Sequence, residues 1–149
     1  MAKVKEKNHL PEIAKKIKEM SQAEIKAGVF NPGSLQFAIA AAHEYGTNIW
    51  ITKKMRGWFL AQGYPLPGGM THVRIPERSF IRSTFDSEQD EIFHQMSRAL
   101  GMMIDGTWDS RNTARTIGAY VVSQVRNRIE SQFVMRTGDL RDSVSYKVE

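Results

Sequence analysis

Apolar residues recur at three- and four-residue intervals in several segments of the chain, which is the spacing of one face of an α-helix. Short segments of this kind cover residues 9–20, the stretch from Ser34 to Gly46, and Thr52 to Gln62, and two long ones fill most of residues 87–133. The apolar positions are Leu10, Ile13, Ile17 and Met20; Leu35, Ala38, Ile39 and Ala42; Met55, Trp58 and Phe59; Ile92, Phe93, Met96, Leu100 and Met103; and Ile117, Tyr120, Val121, Val125, Ile129 and Phe133. The pattern predicts short helices followed by two long ones.

Polar and turn-forming residues predict where these helices begin and end. Ser34 is suited to cap the second helix, and Gly46 to end it in a left-handed conformation. Ser87 and Asp90 have the spacing of a capping box, so we expect the first long helix to begin there. The second long helix is predicted to begin at about Asp109.

Three other segments alternate apolar and polar residues, as half-buried β-strands do. They are residues 24–29, 71–75 and 144–148, and a turn is predicted at residues 137–140, before the last of them. Because strands and helices do not alternate regularly, the sequence predicts an α+β fold in which a mainly antiparallel sheet packs against the two long helices. A chain of 149 residues has the usual size of one domain, so we expect residues 1–149 to form a single domain.

Composition excludes several classes of protein. The chain is 41% hydrophobic and 25% charged, which is ordinary for a globular domain. No segment approaches the roughly 18 consecutive apolar residues of a membrane span, so no membrane contact is expected. The chain contains no cysteine, which excludes disulfides, thiolate metal ligands and cysteine nucleophiles.

Positive charge is concentrated between Thr47 and Ser83. These thirty-seven residues hold six Lys or Arg and a single acid, Glu77, so their net charge of +5 equals that of the whole chain. They also hold two of the three tryptophans and a turn-rich stretch at residues 63–69. A basic, aromatic and turn-rich excursion between ordered elements is typical of a binding surface. We therefore predict a projecting basic loop that carries a short helix.

No catalytic motif is complete. His43 and Glu44 begin the pattern of a zinc protease helix, but Thr47 occupies the position of the second histidine. The alternative is a pair at a helix end that bonds to backbone groups or to an arginine. Neither the nucleophile elbow G-x-S-x-G nor a phosphate-binding loop occurs. We therefore expect a protein that is not an enzyme and that has no catalytic residues, metal or cofactor.

The basic loop suits two kinds of partner. Lys and Arg pair with phosphates while Trp stacks on bases, which favours nucleic acid. Trp and Arg are also enriched at the centres of protein interfaces, which favours a protein partner at least as well. The candidate interface residues are Trp50, Lys53, Lys54, Arg56, Trp58 and Arg74.

Two motifs that bracket the loop resemble those of a known group of proteins. Residues 40–47 (AAAHEYGT) and 75–82 (IPERSFIR) are similar to the "HE-aromatic-GT" and "IP-x-R-x-F-hydrophobic-R" signatures of tail-completion and head-to-tail joining proteins of tailed bacteriophages, including the minor tail protein Z and virion-morphogenesis groups. Residues 137–146 (TGDLRDSVSY) resemble the "TG-x-L-x-x-S" close of the family, and residues 51–57 resemble an insertion of some members. One departure is Ser79, where a proline is usual. The resemblance covers roughly residues 22–149.

The resemblance implies a non-enzymatic α+β subunit that forms a ring, commonly of six copies, in the neck or at the head-proximal end of the tail. Its partners would be other copies of itself and neighbouring neck or tail proteins, with transient contact to DNA. The subunit would be assembled in the bacterial cytoplasm and reside in the virion. The residues that carry the family motifs are His43, Glu44, Tyr45, Gly46, Pro76, Arg78, Phe80, Arg82, Gly138 and Leu140.

Two structural hypotheses follow, the first from ring formation and the second from the meeting of the two motifs. Neighbouring subunits need two different complementary surfaces, so the basic loop is predicted to face the acids between residues 86 and 91 of the next copy. These acids are Asp86, Glu88, Asp90 and Glu91. Arg78 is further predicted to form a fixed ion pair with Glu44 that holds both ends of the loop together.

Overall fold

The computed structural model describes residues 8–132 and 138–149, and these residues form six helices and four short strands. In chain order they are α1 (Leu10–Gln22), β1 (Ile25–Gly28), α2 (Leu35–Tyr45), β2 (Thr47–Trp50), α3 (Lys53–Ala61), β3 (His72–Ile75), α4 (Ile81–Ile104), α5 (Ser110–Ser131), α6 (Asp139–Ser143) and β4 (Ser145–Val148).

Helix α5 is the centre of the fold. It packs along α4 and carries β1 and β4 on another side. Asp109 caps it by accepting a hydrogen bond from the backbone N–H of Asn112 at 2.6 Å, where the sequence predicts the helix to begin. Ile117, Val121, Val125 and Ile129 of its predicted apolar stripe are buried, whereas Tyr120 is only half-buried and Phe133 lies outside the described residues. The buried members of the helix are Thr113, Ala114, Ile117, Gly118, Val121, Val122, Val125 and Ile129.

The close approach of β4 to α5 depends on a glycine. A Cβ atom added to Gly118 would lie 2.5 Å from Cδ2 and 2.8 Å from Cγ of Tyr146. Both distances are below van der Waals contact, so the aromatic ring occupies the space that any larger residue in α5 would need. Gly118 therefore sets the distance between the helix and the strand.

The strands pair antiparallel, which confirms the predicted α+β class. They form two separate two-stranded sheets instead of one. In the first, β1 pairs with β4, from Ile25 opposite Val148 to Gly28 opposite Ser145, and this sheet covers α5. In the second, β2 pairs with β3, from Thr47 opposite Ile75 to Trp50 opposite His72. These two strands contact each other far more than they contact any other described element.

The predicted start of the first long helix is wrong by six residues. Helix α4 begins at Ile81, and Ser87 lies within it and donates its hydroxyl hydrogen to the carbonyl of Ser83 at 2.9 Å. A buried carboxylate from another helix caps α4, so no local capping residue is needed. Phe93 is also misplaced in the prediction, because 54% of it is exposed while Ile92, Ala99 and Met103 face the core.

The segment predicted as a turn before the last strand contains a short helix. Gly138 has a φ of 83° and directly precedes α6, whose Leu140 is buried in the core. Thr137, the first residue of that prediction, lies outside the described residues. In the part of the chain that is described, no helix has the length and apolar character needed to cross a membrane.

Candidate interaction surface

We call residues 47–75 the arm: β2, α3, the following loop and β3. It corresponds to most of the predicted basic excursion, whose last residues belong to a connecting segment and to the first turn of α4. Backbone pairing holds the arm together, and the N–H of Ile51 extends the ladder by donating to the carbonyl of Thr71 at 2.9 Å. Across the strands, the rings of Trp50 and His72 meet edge to face with centroids 5.9 Å apart.

Helix α3 lies near the end of the arm. Thr52 caps it by accepting a hydrogen bond from the N–H of Met55 at 3.2 Å, within the boundaries that the sequence predicts. The guanidinium of Arg56 donates to the carbonyls of Pro67 (3.0 Å), Gly68 and Met70 and so fastens the loop to the helix. Arg56, predicted as an interface cation, is therefore engaged within the arm.

The arm is almost entirely at the surface. None of residues 45–79 is buried. Six of the fourteen exposed large hydrophobic residues in the described chain lie in the arm, including Trp50 at 73% and Trp58 at 50% exposure; the six are Ile49, Trp50, Trp58, Leu60, Tyr64 and Met70. Such a concentration of exposed apolar area is typical of interaction surfaces.

Three cations accompany these aromatic residues. Lys53, Lys54 and Arg74 are exposed and form no hydrogen bond or ion pair with any other described residue. Their charges are fully available to a partner, in contrast to that of Arg56. Five of the six predicted interface residues are therefore exposed on the arm and available to a partner: Trp50, Lys53, Lys54, Trp58 and Arg74.

The arm is anchored to the body through Glu44. This carboxylate is 8% exposed and accepts hydrogen bonds from the backbone N–H groups of Phe80, Ile81 and Arg82, each at 3.0 Å, and from the hydroxyl of Ser79 at 2.7 Å. These backbone groups are the unpaired donors at the start of α4, where the helix dipole also favours a negative charge. Glu44, at the end of α2, therefore caps α4 across the base of the arm.

The environment of Glu44 favours its charged form. Burial alone would raise the pKa of the carboxyl group, but the hydrogen bonds from Ile81, Arg82, Ser79 and Phe80 outweigh it and lower the pKa below its usual value of 4.5. Ser79, noted as a departure from the family pattern, supplies one of these bonds, which a proline could not donate.

The predicted ion pair between Arg78 and Glu44 is wrong. The donors around Glu44 are backbone groups and Ser79, while Arg78 contributes its own backbone N–H to the carbonyl of His43 at 2.7 Å. Backbone N–H groups at a helix start are already aimed at one point, so the carboxylate is satisfied without a guanidinium.

Arg82 is the arginine that joins the two motifs. Its guanidinium donates to the carbonyl of Glu44 at 3.2 Å and to the carboxylate of Glu77 at 2.5 Å. It thereby binds the carbonyl oxygen of Glu44 in the last turn of α2, where carbonyl groups have no hydrogen-bond donor within the helix. The contact between the two motifs, which the prediction assigned to Arg78, is therefore made by Arg82.

Gly46 is required by the turn between α2 and the arm. Its φ is +67°, and an added Cβ would lie 3.0 Å from the backbone nitrogen of Glu77 and 3.2 Å from the carbonyl oxygen of Ile75.

The other motif residues surround this turn. Burial and the charge of Arg78 lower the pKa of His43. Tyr45 and Pro76 are exposed, and Phe80 is completely buried beneath the anchor.

The acids of α4 differ in what they already bind. Glu88 lies 3.6 Å from Arg128, and Glu91 accepts a hydrogen bond from Gln95 at 2.7 Å. Asp86 and Asp90 are exposed and make no side-chain hydrogen bond or ion pair within the described residues. Only two of the four acids that the sequence suggested are therefore free to bind a partner.

No family model matches the chain, and neither curated proteins nor solved structures provide a similar one. Among residues 8–132 and 138–149, no three histidine or carboxylate side chains converge as metal ligands. The arm and its anchor are therefore interpreted from their own geometry.

Proposed function

We propose that this chain is a non-enzymatic structural or assembly protein of a tailed bacteriophage or prophage, acting in tail completion or head-to-tail joining through ring formation. The observation that carries the proposal is the arm: twenty-nine residues, 47–75, with no buried side chain, many exposed aromatic groups and three unpaired cations. Folding such a segment gains little from burial, so the arm is best explained by a partner that covers it.

The anchor supports the same proposal. The two motifs that resemble the phage family meet at Glu44 and the first turn of α4, and they fix the direction in which the arm leaves the body. A ring needs this property, because each subunit must present two surfaces at a constant angle for the ring to close. The proposed partners are further copies of the chain, commonly six to a ring, and adjoining neck or tail proteins of the virion.

The function is tested by deleting the gene from a phage or prophage that produces virions. We expect full heads and separate tails in electron micrographs, and joined particles when the gene is supplied in trans. Normal virions without the gene would contradict the proposal. Genes for portal, capsid and tail-tube proteins beside this gene would support it.

A nucleic-acid-binding module is the second candidate function. It is favoured by the same exposed Trp50 and by the unpaired Lys53, Lys54 and Arg74. Binding of this kind would weaken steeply with salt, because each neutralised phosphate releases counterions. A salt slope equivalent to about three phosphate contacts, lost in a Lys53→Glu/Lys54→Glu variant, would favour this candidate; salt-independent association with other copies would favour the ring.

A further inference from the structure

We infer that the arm of one subunit docks on the outer face of α4 in the next, with Lys54 and Trp58 opposite Asp90 and Phe93. The inference deepens the proposed function and rests on it: it names the two surfaces that would meet in the ring. The partner is a second copy of this chain, and the contact is heterologous, arm to helix face.

The docking face is defined by three residues. Asp86, Asp90 and Phe93 follow one another at four and three positions, so they lie on one side of α4. Phe93 is 54% exposed, and both aspartates are unpaired within the described chain. An apolar side chain flanked by two free carboxylates is complementary to the arm, which presents aromatic rings flanked by free ammonium groups.

The spacing on α3 matches this face. Lys54 and Trp58 are four residues apart and share one side of their helix. When α3 of one copy lies along α4 of the next, Lys54 faces Asp90 and Trp58 faces Phe93. The charged residue and the ring are four positions apart on α3 and three apart on α4, so their separations along the two helices are similar. Trp58 is held in place by Phe59, whose ring it meets edge to face at 5.0 Å. Lys53, one residue earlier, adds a positive charge to the same end of α3.

The anchor links the two surfaces within one subunit. Glu44 binds the first turn of α4, and Asp86 follows the start of that helix at Ile81 by five residues. The arm and the docking face are therefore attached to the same rigid point. This shared anchor restricts the relative direction of the two surfaces before subunits associate, which lowers the ordering cost.

Charge reversal tests whether the arm of one copy meets the α4 face of another, and recovered oligomers larger than a dimer show that the contact is heterologous. Lys53→Glu/Lys54→Glu gives an arm that no longer fits its own docking face, and Asp86→Lys/Asp90→Lys gives a face that no longer fits its own arm. Each variant alone should lose oligomers, with a dissociation constant raised about tenfold or more. An equimolar mixture of the two variants should recover the oligomers. In an alternating ring, the reversed arm of the first variant meets the reversed face of the second, and the unchanged arm of the second meets the unchanged face of the first.

Sedimentation velocity measures the oligomers, and circular dichroism confirms that each variant is folded. Lys15→Glu/Lys18→Glu is the matched control, since these exposed α1 lysines are also unpaired within the described residues and the change in net charge is the same as in the arm variant. It should assemble like the unchanged chain.

The outcomes separate the inference from the proposed function. If the unchanged chain forms rings but the mixture of reversed variants stays dissociated, the docking face is wrong while ring formation stands. Unaltered assembly of either reversed variant would also reject the docking face. The gene deletion tests the phage role without reference to this interface.

Discussion

The arm and helix α5 are stretches of similar length with opposite relations to solvent. In α5, eight of 22 residues are buried, and they hold α4 and the β1–β4 sheet together. In residues 45–79, none is buried, and the segment is ordered by strand pairing, the capping hydroxyl of Thr52 and the guanidinium of Arg56. A two-stranded hairpin of this kind has little stability of its own in water.

This difference separates the residues that stabilise the fold from those that are available for association. Changes in the body should act on the free energy of unfolding, and changes in the arm should act on association. Glu44 joins the body at the base of the arm, because it lies in the last turn of α2 and caps α4. Substitutions at these places can confirm or remove the contrast.

The largest effect is expected for Phe80→Ala. Phe80 is fully buried in the core with Val125 and Ile129, so its truncation should cost about 3–5 kcal/mol of unfolding free energy. Trp58→Ala removes an aromatic ring of the arm, and the unfolding free energy should change by about 0.5 kcal/mol or less. Urea denaturation measures both. Equal losses in the two variants would remove the contrast between the regions.

Glu44→Gln should have the next largest effect. The amide keeps the shape but turns an N–H₂ group toward backbone donors, which we expect to cost about 1.5–3 kcal/mol at neutral pH. Because the folded pKa of Glu44 is depressed, its carboxylate stabilises the fold fully above pH 4.5 and loses this effect as pH falls through the lower folded value.

The stability difference between the unchanged chain and Glu44→Gln should therefore shrink in acid. Urea denaturation at pH 7 and at pH 3 measures it. Glu12→Gln is the control, since Glu12 is an exposed residue of α1 and its loss should change stability little. A Glu44→Gln deficit that is as large at pH 3 as at pH 7 would show that the charge is not what anchors the arm.

Gly118→Ala tests the packing of the body and should cost about 1–2 kcal/mol. The added Cβ collides with the Tyr146 ring, and the loss exceeds the gain in helix propensity. Gly101→Ala in α4 is the matched control, because no atom lies within 4 Å of its added Cβ, and it should stabilise the chain by about 0.5–1 kcal/mol. Thermal denaturation distinguishes the two signs, and stabilisation by Gly118→Ala would contradict the packing described for β4.

Arg56→Ala should have the smallest effect on global stability, about 0.5 kcal/mol or less. The carbonyls of Pro67, Gly68 and Met70 lose their shared donor, so amide hydrogens of residues 64–71 should exchange faster while those of α5 stay protected. Lys54→Ala is the control, since Lys54 has no partner within the described residues. Faster exchange in α5 as well would indicate that the arm supports the body.

Local patterns predicted much of the fold. Ser34 caps α2 as predicted, and Thr52 and Asp109 cap α3 and α5 where these helices were predicted to begin, because an N-cap bonds to residues only two or three positions away. The start of α4 was missed because its cap, Glu44, is distant in sequence from Ile81. No local residue signals such a bond. The N-cap position of α4 is Phe80, whose side chain cannot accept a hydrogen bond, so the start of the helix carries no local sequence signal.

The candidate surface was predicted in composition but not in detail. Charge counting identified Lys53, Lys54 and Arg74, yet it could not separate them from Arg56, whose partners are carbonyls of a loop. The exposure of Phe93 was also missed, because helical periodicity does not show which side of a long helix another element covers.

The central claim is that the arm is an association element that the body does not need in order to fold. Thr47 and Ile75 face each other at the base of the β2–β3 ladder, so residues 48–74 can be replaced by an Asn-Gly turn that joins Thr47 directly to Ile75. Sedimentation velocity and urea denaturation of this shortened chain are the most direct measurement. We predict a cooperatively folded monomer, with an unfolding free energy within about 1 kcal/mol of that of the unchanged chain at monomeric concentrations. A shortened chain that fails to fold, or that still forms rings, would contradict the claim.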